Sequence, residues 1–146
     1  MSLHLEVVTP RGMVVKTEVE SVRLPGKVGE FAVLEGHIPL LSALKPGILR
    51  YEQGSEHVRM AIGSGFVEVG AGDRVLVLTD EHADRDDIDR GEVEAELSKA
   101  SKALEGWTSE IELLEDGEWK EVADHRALRE RIDWAQAQLD LLASND

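Results

Sequence analysis

The sequence predicts a mainly β chain with an α C-terminal part: an N-terminal β-sandwich followed by a two-helix antiparallel hairpin. Three observations carry that reading. All 4 prolines and 10 of the 13 glycines precede residue 85, so turns crowd the first region. Between those turns lie short runs rich in β-branched and apolar residues, with no helix-period segment among them. After Asp84 apolar residues begin to recur at helical spacing. The change divides the 146 residues into a sandwich region, 1–84, and a helical region, 85–146.

The predicted strands are Leu3 to Thr9, Val19 to Leu24, Phe31 to Leu34, Ile48 to Glu52, His57 to Ile62, Phe66 to Val69 and Val75 to Thr79. Pro10-Arg11-Gly12, Pro46-Gly47 and Gly70-Ala71-Gly72-Asp73 supply the fixed or positive φ that tight reversals need, and Gly54 reads as a further turn. Several strands at this spacing point to a sandwich or barrel rather than an alternating α/β sheet. The apolar segment Ile38 to Leu44 reads as a loop or a single helical turn.

In the second region Val93, Leu97, Ala100 and Leu104 fall at i, i+4, i+7 and i+11, one face of a helix whose other faces are charged. Asp86, Asp87 and Asp89 are placed to cap its start and favour its dipole. Leu128, Ile132, Ala135, Leu139 and Leu142 repeat the spacing, with Trp134 off the stripe. Two such narrow faces bury each other as a hairpin, but so small a pair is marginal without a further docking surface. The connector, about 106–120, holds Trp107 and Trp119 and reads as a hairpin turn at Glu115-Asp116-Gly117-Glu118 flanked by Ile111, Leu113 and Trp119, or as a helical extension.

Composition narrows the function. The formal net charge is −14, with −4 in residues 1–84 and −10 in residues 85–146. Nucleic-acid binding and docking on anionic lipid both need clustered cations, which this balance opposes. The longest uncharged apolar runs fall far short of the roughly 20 residues that cross a bilayer, so membrane association is expected only through partners. No secretory signal is read at Met1-Ser2-Leu3-His4. With no cysteine, disulfides and thiolate metal sites are excluded.

The sequence holds no constellation for catalysis. None of His4, His37, His57, His82 and His125 has a helical i, i+4 histidine partner for zinc. A calcium loop opening at Asp84 would put Ile88 and Ala95 where acidic ligands belong. Gly63-Ser64-Gly65 lacks the third glycine of a phosphate loop and leads into a strand, so it reads as a turn or bulge. No nucleophile elbow occurs. Catalytic residues, cofactor and metal are all expected to be none. His37, on a loop beside Glu35, reads as a contact residue or a solvated one.

The segment Leu24 to Leu49 carries a more specific signal. Leu24-Pro25-Gly26, Gly29-Glu30-Phe31, Leu34, Gly36-His37, Pro39-Leu40-Leu41 and Leu44-Lys45-Pro46-Gly47 follow one another in order. Ala61-Ile62, Gly65-Phe66-Val67-Glu68-Val69 and Val75-Leu76-Val77-Leu78-Thr79-Asp80 extend the series through the first region. This pattern resembles the epsilon subunit of F-type ATP synthases. The resemblance implies a flattened β-sandwich and a two-helix C-terminal domain. It also implies a non-catalytic place in the central stalk, where the subunit couples c-ring rotation to ATP synthesis or hydrolysis in the catalytic head.

It further implies that the sandwich touches the gamma subunit and the ring of c subunits, on the cytoplasmic face of the bacterial plasma membrane. The matched partner-contact candidates are Glu30, Phe31, Gly36, His37 and Pro39. In relatives whose helices inhibit hydrolysis, basic residues of the second helix face the beta subunit; the candidates here are Arg126, Arg129 and Arg131. They are diluted by Glu121, Asp124, Glu130, Asp133 and Asp140, which predicts weak inhibition. Some relatives bind ATP through Ile/Leu-Asp-x-x-Arg-Ala at the start of the first helix. Here Ile88-Asp89-Arg90-Gly91 is followed by Glu92-Val93, an acid in place of the phosphate-facing arginine, so no nucleotide sensing is expected. The alternative reading is a free-standing nucleotide- or cation-binding regulatory module.

Overall fold

Among the described residues, alternating apolar and polar side chains build ten strands, which a computed structural model of the chain arranges as one bent, nearly closed sheet. The structure describes residues 2–37, 39–106 and 120–144, with backbone alone for 120–124. The strands are β1 (Leu3–Thr9), β2 (Gly12–Val19), β3 (Ser21–Gly26), β4 (Gly29–Leu34) and β5 (Leu40–Leu44). They continue as β6 (Gly47–Gln53), β7 (Glu56–Ile62), β8 (Gly65–Gly70), β9 (Arg74–Thr79) and β10 (His82–Ala83). Their order is β10-β7-β6-β3-β5-β8-β9-β1-β2, with β4 paired to β3.

One half of the sheet, β10-β7-β6-β3 with β4, meets the other, β5-β8-β9-β1-β2, at the single pair Gly26↔Leu44. On the opposite side, β2 turns into β3 at Glu20. There the Gln53 amide donates to Thr17 Oγ1 at 2.8 Å and to the Glu18 carbonyl at 2.9 Å. The two halves close over one core in which Leu5, Val7, Val67 and Val77 face Val22, Leu24, Leu49 and Met60, all buried. Core burial by both inner faces is what makes a sandwich rigid.

Three predicted boundaries change. β2 went unseen because its inward residues, Val15, Thr17 and Val19, are interrupted. Val7 pairs with Val15 and Val8 with Met13, leaving Val14 as an extra bulged residue that breaks the alternation. The run Val19 to Leu24 is accordingly two strands. Leu40–Leu44 is a strand paired along β8, not a helical turn. Gly47 does not adopt a positive φ; what demands glycine is Pro25, whose Cβ would lie 2.6 Å from an added Cβ. The connector features at Trp107, Trp119 and Glu115 to Glu118 lie outside the described residues.

Two helices follow a 3₁₀ turn at Arg85–Asp87: α1 (Arg90–Glu105) and α2 (Lys120–Ala143). Asp89 is the N-cap of α1, its carboxylate accepting from the Glu92 amide at 3.1 Å. Asp87 instead accepts from the Asp84 amide at 3.2 Å within the 3₁₀ turn. The predicted stripes of α1 and α2 meet, with Ala100 and Ala135 buried. Across the same hairpin the Arg131 guanidinium pairs with Glu96 (Nε to Oε1, 2.9 Å).

α2 has a second apolar face. Trp134, Ala137 and Leu141 recur at i, i+3 and i+7, rotated by about 150° from the first stripe. Leu141 and Trp134 pack with Ala61, Ala83, Ile48 and Ile88 against the outside of β6 and β7. Trp134, off the predicted stripe, is therefore an anchor between the hairpin and the sandwich. This cover explains why Met60, Ala61 and Ile62 are consecutively buried: Met60 and Ile62 face the core while Ala61 faces α2. The burial of Leu141 alone is worth about 1.5–3 kcal/mol.

Candidate functional site

With α2 covering the outside of β6 and β7, the outer face of β5-β8-β9-β1-β2 carries the exposed apolar surface. Pairing puts Ala43 beside Phe66, Phe66 beside Leu78, Leu78 beside Val8 and Val8 beside Met13. The result is a continuous apolar row across five strands. Phe66 is 56% exposed, Leu78 48% and Met13 53%, and Leu41 stands beside the row at 70%. Singly exposed apolar residues are ordinary; a contiguous row of them marks a docking surface.

The neighbouring rows are mixed in charge. Leu41, Glu68, Leu76, Glu6 and Lys16 form one; Gly70, Arg74, His4 and Glu18 form the next. His4 Nδ1 lies 3.4 Å from Glu18. Leu41 apart, these residues line a shallow hollow of about 930 Å³ on the same face. The sequence reading missed this face because Phe66 and Leu78 sit in runs that also supply core residues. Register, which single-strand patterns do not contain, is what aligns them.

The predicted contact residues do not gather in one place. Glu30 is exposed at the start of β4, 3.5 Å from Arg23, and borders a cleft of about 490 Å³ with Lys45, Arg50, Arg129, Asp133 and Asp140. Phe31 is half-buried and packs on the core, so its ring supports the sandwich. Gly36 and His37 lie beyond the far end of β4, about 13 Å of strand from Glu30 to Leu34. Gly36 has φ +81° and its N–H donates to Asp73 Oδ1 at 2.8 Å; the His37 N–H donates to the Leu34 carbonyl at 3.1 Å. Pro39 is exposed on the same loop. On α2, Arg126 is exposed, Arg129 faces the Glu30 cleft and Arg131 is held by Glu96.

A third cleft, about 330 Å³, opens between the sandwich end and the helices, lined in part by Gly63, Ser64, Asp80, Glu81, Glu96, Glu130, Arg131 and Trp134. Burial first, and then the Asp80 carboxylate, hold the Glu81 carboxyl above the usual range, with Arg11 opposing. Four carboxylates against one guanidinium suit neither a polyphosphate nor any other anion. Glu92 is exposed. Among the described residues no cluster of histidine and carboxylate side chains is placed to hold a metal, and no helix is long and apolar enough to cross a membrane.

The family model for the ATP synthase delta/epsilon chain beta-sandwich domain matches residues 2–84. The ATP synthase epsilon chain of Magnetococcus marinus is 34% identical over 142 residues, spanning 97% of this chain and 95% of its own length. ATP synthase epsilon chain 2 of Syntrophotalea carbinolica is 43% identical over 102 residues, 70% of this chain and 73% of its own. In fold, the chain is similar to one in the Euglena gracilis mitochondrial ATP synthase structure of OSCP, F1 and c-ring. That match has a TM-score of 0.75 at 21% identity and covers 98% of this chain and 82% of the other. A sandwich matched along its whole length, together with a relative matched almost end to end, makes this chain a member of the ATP synthase delta/epsilon chain family, an epsilon-type and non-catalytic subunit of an F-type ATP synthase.

Proposed function

We propose that the chain serves in the central stalk, docking its sandwich on the gamma subunit through the outer face of β5-β8-β9-β1-β2 and meeting the c-subunit ring through the end loops. The observation that carries this reading is the Ala43–Phe66–Leu78–Val8–Met13 row, an apolar stripe with no cover from the described residues of its own chain. An apolar centre with a charged border is the usual anatomy of a protein interface. The similar chains of Euglena gracilis and Tetrahymena thermophila come from structures of F1 with c-ring and of central stalk with c-ring, which supports the same role here. Torque passes through the stiff two-layer body, and the chemistry stays in the catalytic head.

The sandwich, 1–84, is the docking unit, and 85–146 is a regulatory unit whose contact with the beta subunit would use Arg126, Arg129 and Arg131. Arg131 is already paired with Glu96, and Arg129 faces the cleft of Glu30 and Asp133. Engagement with another subunit must first give up these partners, in keeping with weak inhibition. The subunit sits peripherally on the cytoplasmic face of the bacterial plasma membrane, held through its partners. Co-purification tests the reading: Phe66→Glu with Leu78→Glu, both on exposed positions, leaves the fold intact by circular dichroism and loses the gamma subunit. Retention of gamma at wild-type yield would refute it.

A further inference from the structure

The His37 loop is tied to the body of the sandwich by one residue 37 positions further along the chain. Asp73, at the turn between β8 and β9, accepts the Gly36 N–H on Oδ1 at 2.8 Å. Its own backbone is constrained: φ is +58°, the only positive value among the described non-glycine residues, and its carbonyl accepts the His4 N–H at 2.8 Å. Aspartate and asparagine tolerate this left-handed conformation better than other side chains. Asp73 thus joins three segments: the β8–β9 turn, the start of β1, and the loop carrying Gly36 and His37.

The geometry has a direct consequence for presentation. Gly36 itself takes a positive φ, so the loop reverses at a residue with little intrinsic preference. The Asp73 carboxylate fixes the point of reversal with a hydrogen bond to a charged acceptor, the stronger class of such bonds. His37 and Pro39 follow within three residues. The same turn, Gly70 to Arg74, borders the hollow on the docking face. The Asp73 side chain therefore links the loop to that face.

We infer that Asp73 is the positioning residue for the His37 loop, setting the geometry in which the loop meets the rotor. The inference rests on the reading of that loop as a contact. It assigns Asp73 no contact of its own with a partner.

Glycine adopts φ +58° freely, so Asp73→Gly removes the acceptor while leaving the turn relaxed; Asp73→Asn keeps both an acceptor oxygen and the tolerance for this φ. Hydrogen exchange on the full chain then reports the loop directly. Asp73→Gly should speed exchange of the Gly36 amide about tenfold, the scale of one lost hydrogen bond, and Asp73→Asn should restore most of the protection. In binding to a gamma subunit and c-ring rotor, Asp73→Gly should weaken affinity several-fold, as should His37→Ala, with Asp73→Asn near wild type. Unchanged exchange at Gly36 in Asp73→Gly overturns the inference. So does wild-type binding by Asp73→Gly where His37→Ala binds weakly, and then the contact reading stands alone. If both variants bind like wild type, the contact reading falls and takes the inference with it.

Discussion

The Arg85 guanidinium donates to the Leu141 carbonyl at 3.1 Å, joining the 3₁₀ turn after the sandwich to the last turn of α2 across 56 residues. The same nitrogen donates to the Ser144 carbonyl and, at 3.0 Å, to its hydroxyl. The last turn of α2 has no basic residue of its own. The negative end of its dipole is met from outside by Arg85, which shares the Leu141 carbonyl with the Ser144 hydroxyl, a donor at 2.8 Å. This cap lies beside the buried Leu141, so polar and apolar anchoring coincide at one end of the helix.

Removing the cap should loosen the helix end without unfolding the sandwich. Arg85→Ala is expected to weaken docking of α2 by about 1–2 kcal/mol, from lost charge-assisted hydrogen bonds and the dipole contact. Amides near the end of α2 would exchange faster while those of β8 and β9 stay protected. Leu141→Ala should cost about 2–4 kcal/mol at the same contact through the cavity it leaves. Because Arg85 and Leu141 share that contact, the double variant should lose less than the sum. Unaltered exchange in Arg85→Ala would show that the apolar face alone holds the helix.

How far the sequence reveals this arrangement differs by element. β1, β3, β4, β6, β7, β8 and β9 are legible because each alternates or runs apolar between turn residues. β2 is not, since the bulge at Val14 breaks its period and its outward face is mixed. The α1-facing stripe of α2 is legible from Leu128 to Leu142. The sandwich-facing side is hidden because Trp134, Ala137 and Leu141 make a weak pattern without knowledge of Ala61 and Ile48 beneath them. Contact candidates carried by resemblance are exposed at Glu30, Gly36 and Pro39 and half-buried at His37, whereas Phe31 packs on the core. The apolar row needed cross-strand register.

Gly47 offers a test of packing rather than of turn chemistry. An added Cβ would meet Pro25 Cβ at 2.6 Å, a contact neither backbone can relieve without shifting β3 against β6. Gly47→Ala should lower stability by about 1–3 kcal/mol, seen as a reduced urea midpoint at constant slope. Gly70→Ala is the control, because its Cβ would meet nothing within 4 Å and its φ is not positive. That variant should stay within about 0.5 kcal/mol of wild type. Equal loss in both would remove close approach to Pro25 as the reason for Gly47.

Glu81 gives stability a pH dependence of unusual sign. Burial and the neighbouring Asp80 raise its carboxyl pKa in the folded chain above the ordinary glutamate value of 4.5, which the unfolded chain keeps. Between those two values the folded state holds the proton and the unfolded state has released it. Stability from this group therefore falls as pH rises through that window, and the full penalty persists above it. Most acidic groups with partners behave in the opposite way. Glu81→Gln should raise Tm at pH 7 by about 1 °C, a small effect because the side chain keeps solvent contact. The gain should shrink towards zero below pH 4, where both states of the wild type are protonated at this site. Thermal unfolding of the two proteins from pH 3.5 to 7 measures it, and a gain independent of pH would assign the effect to something other than ionisation of Glu81.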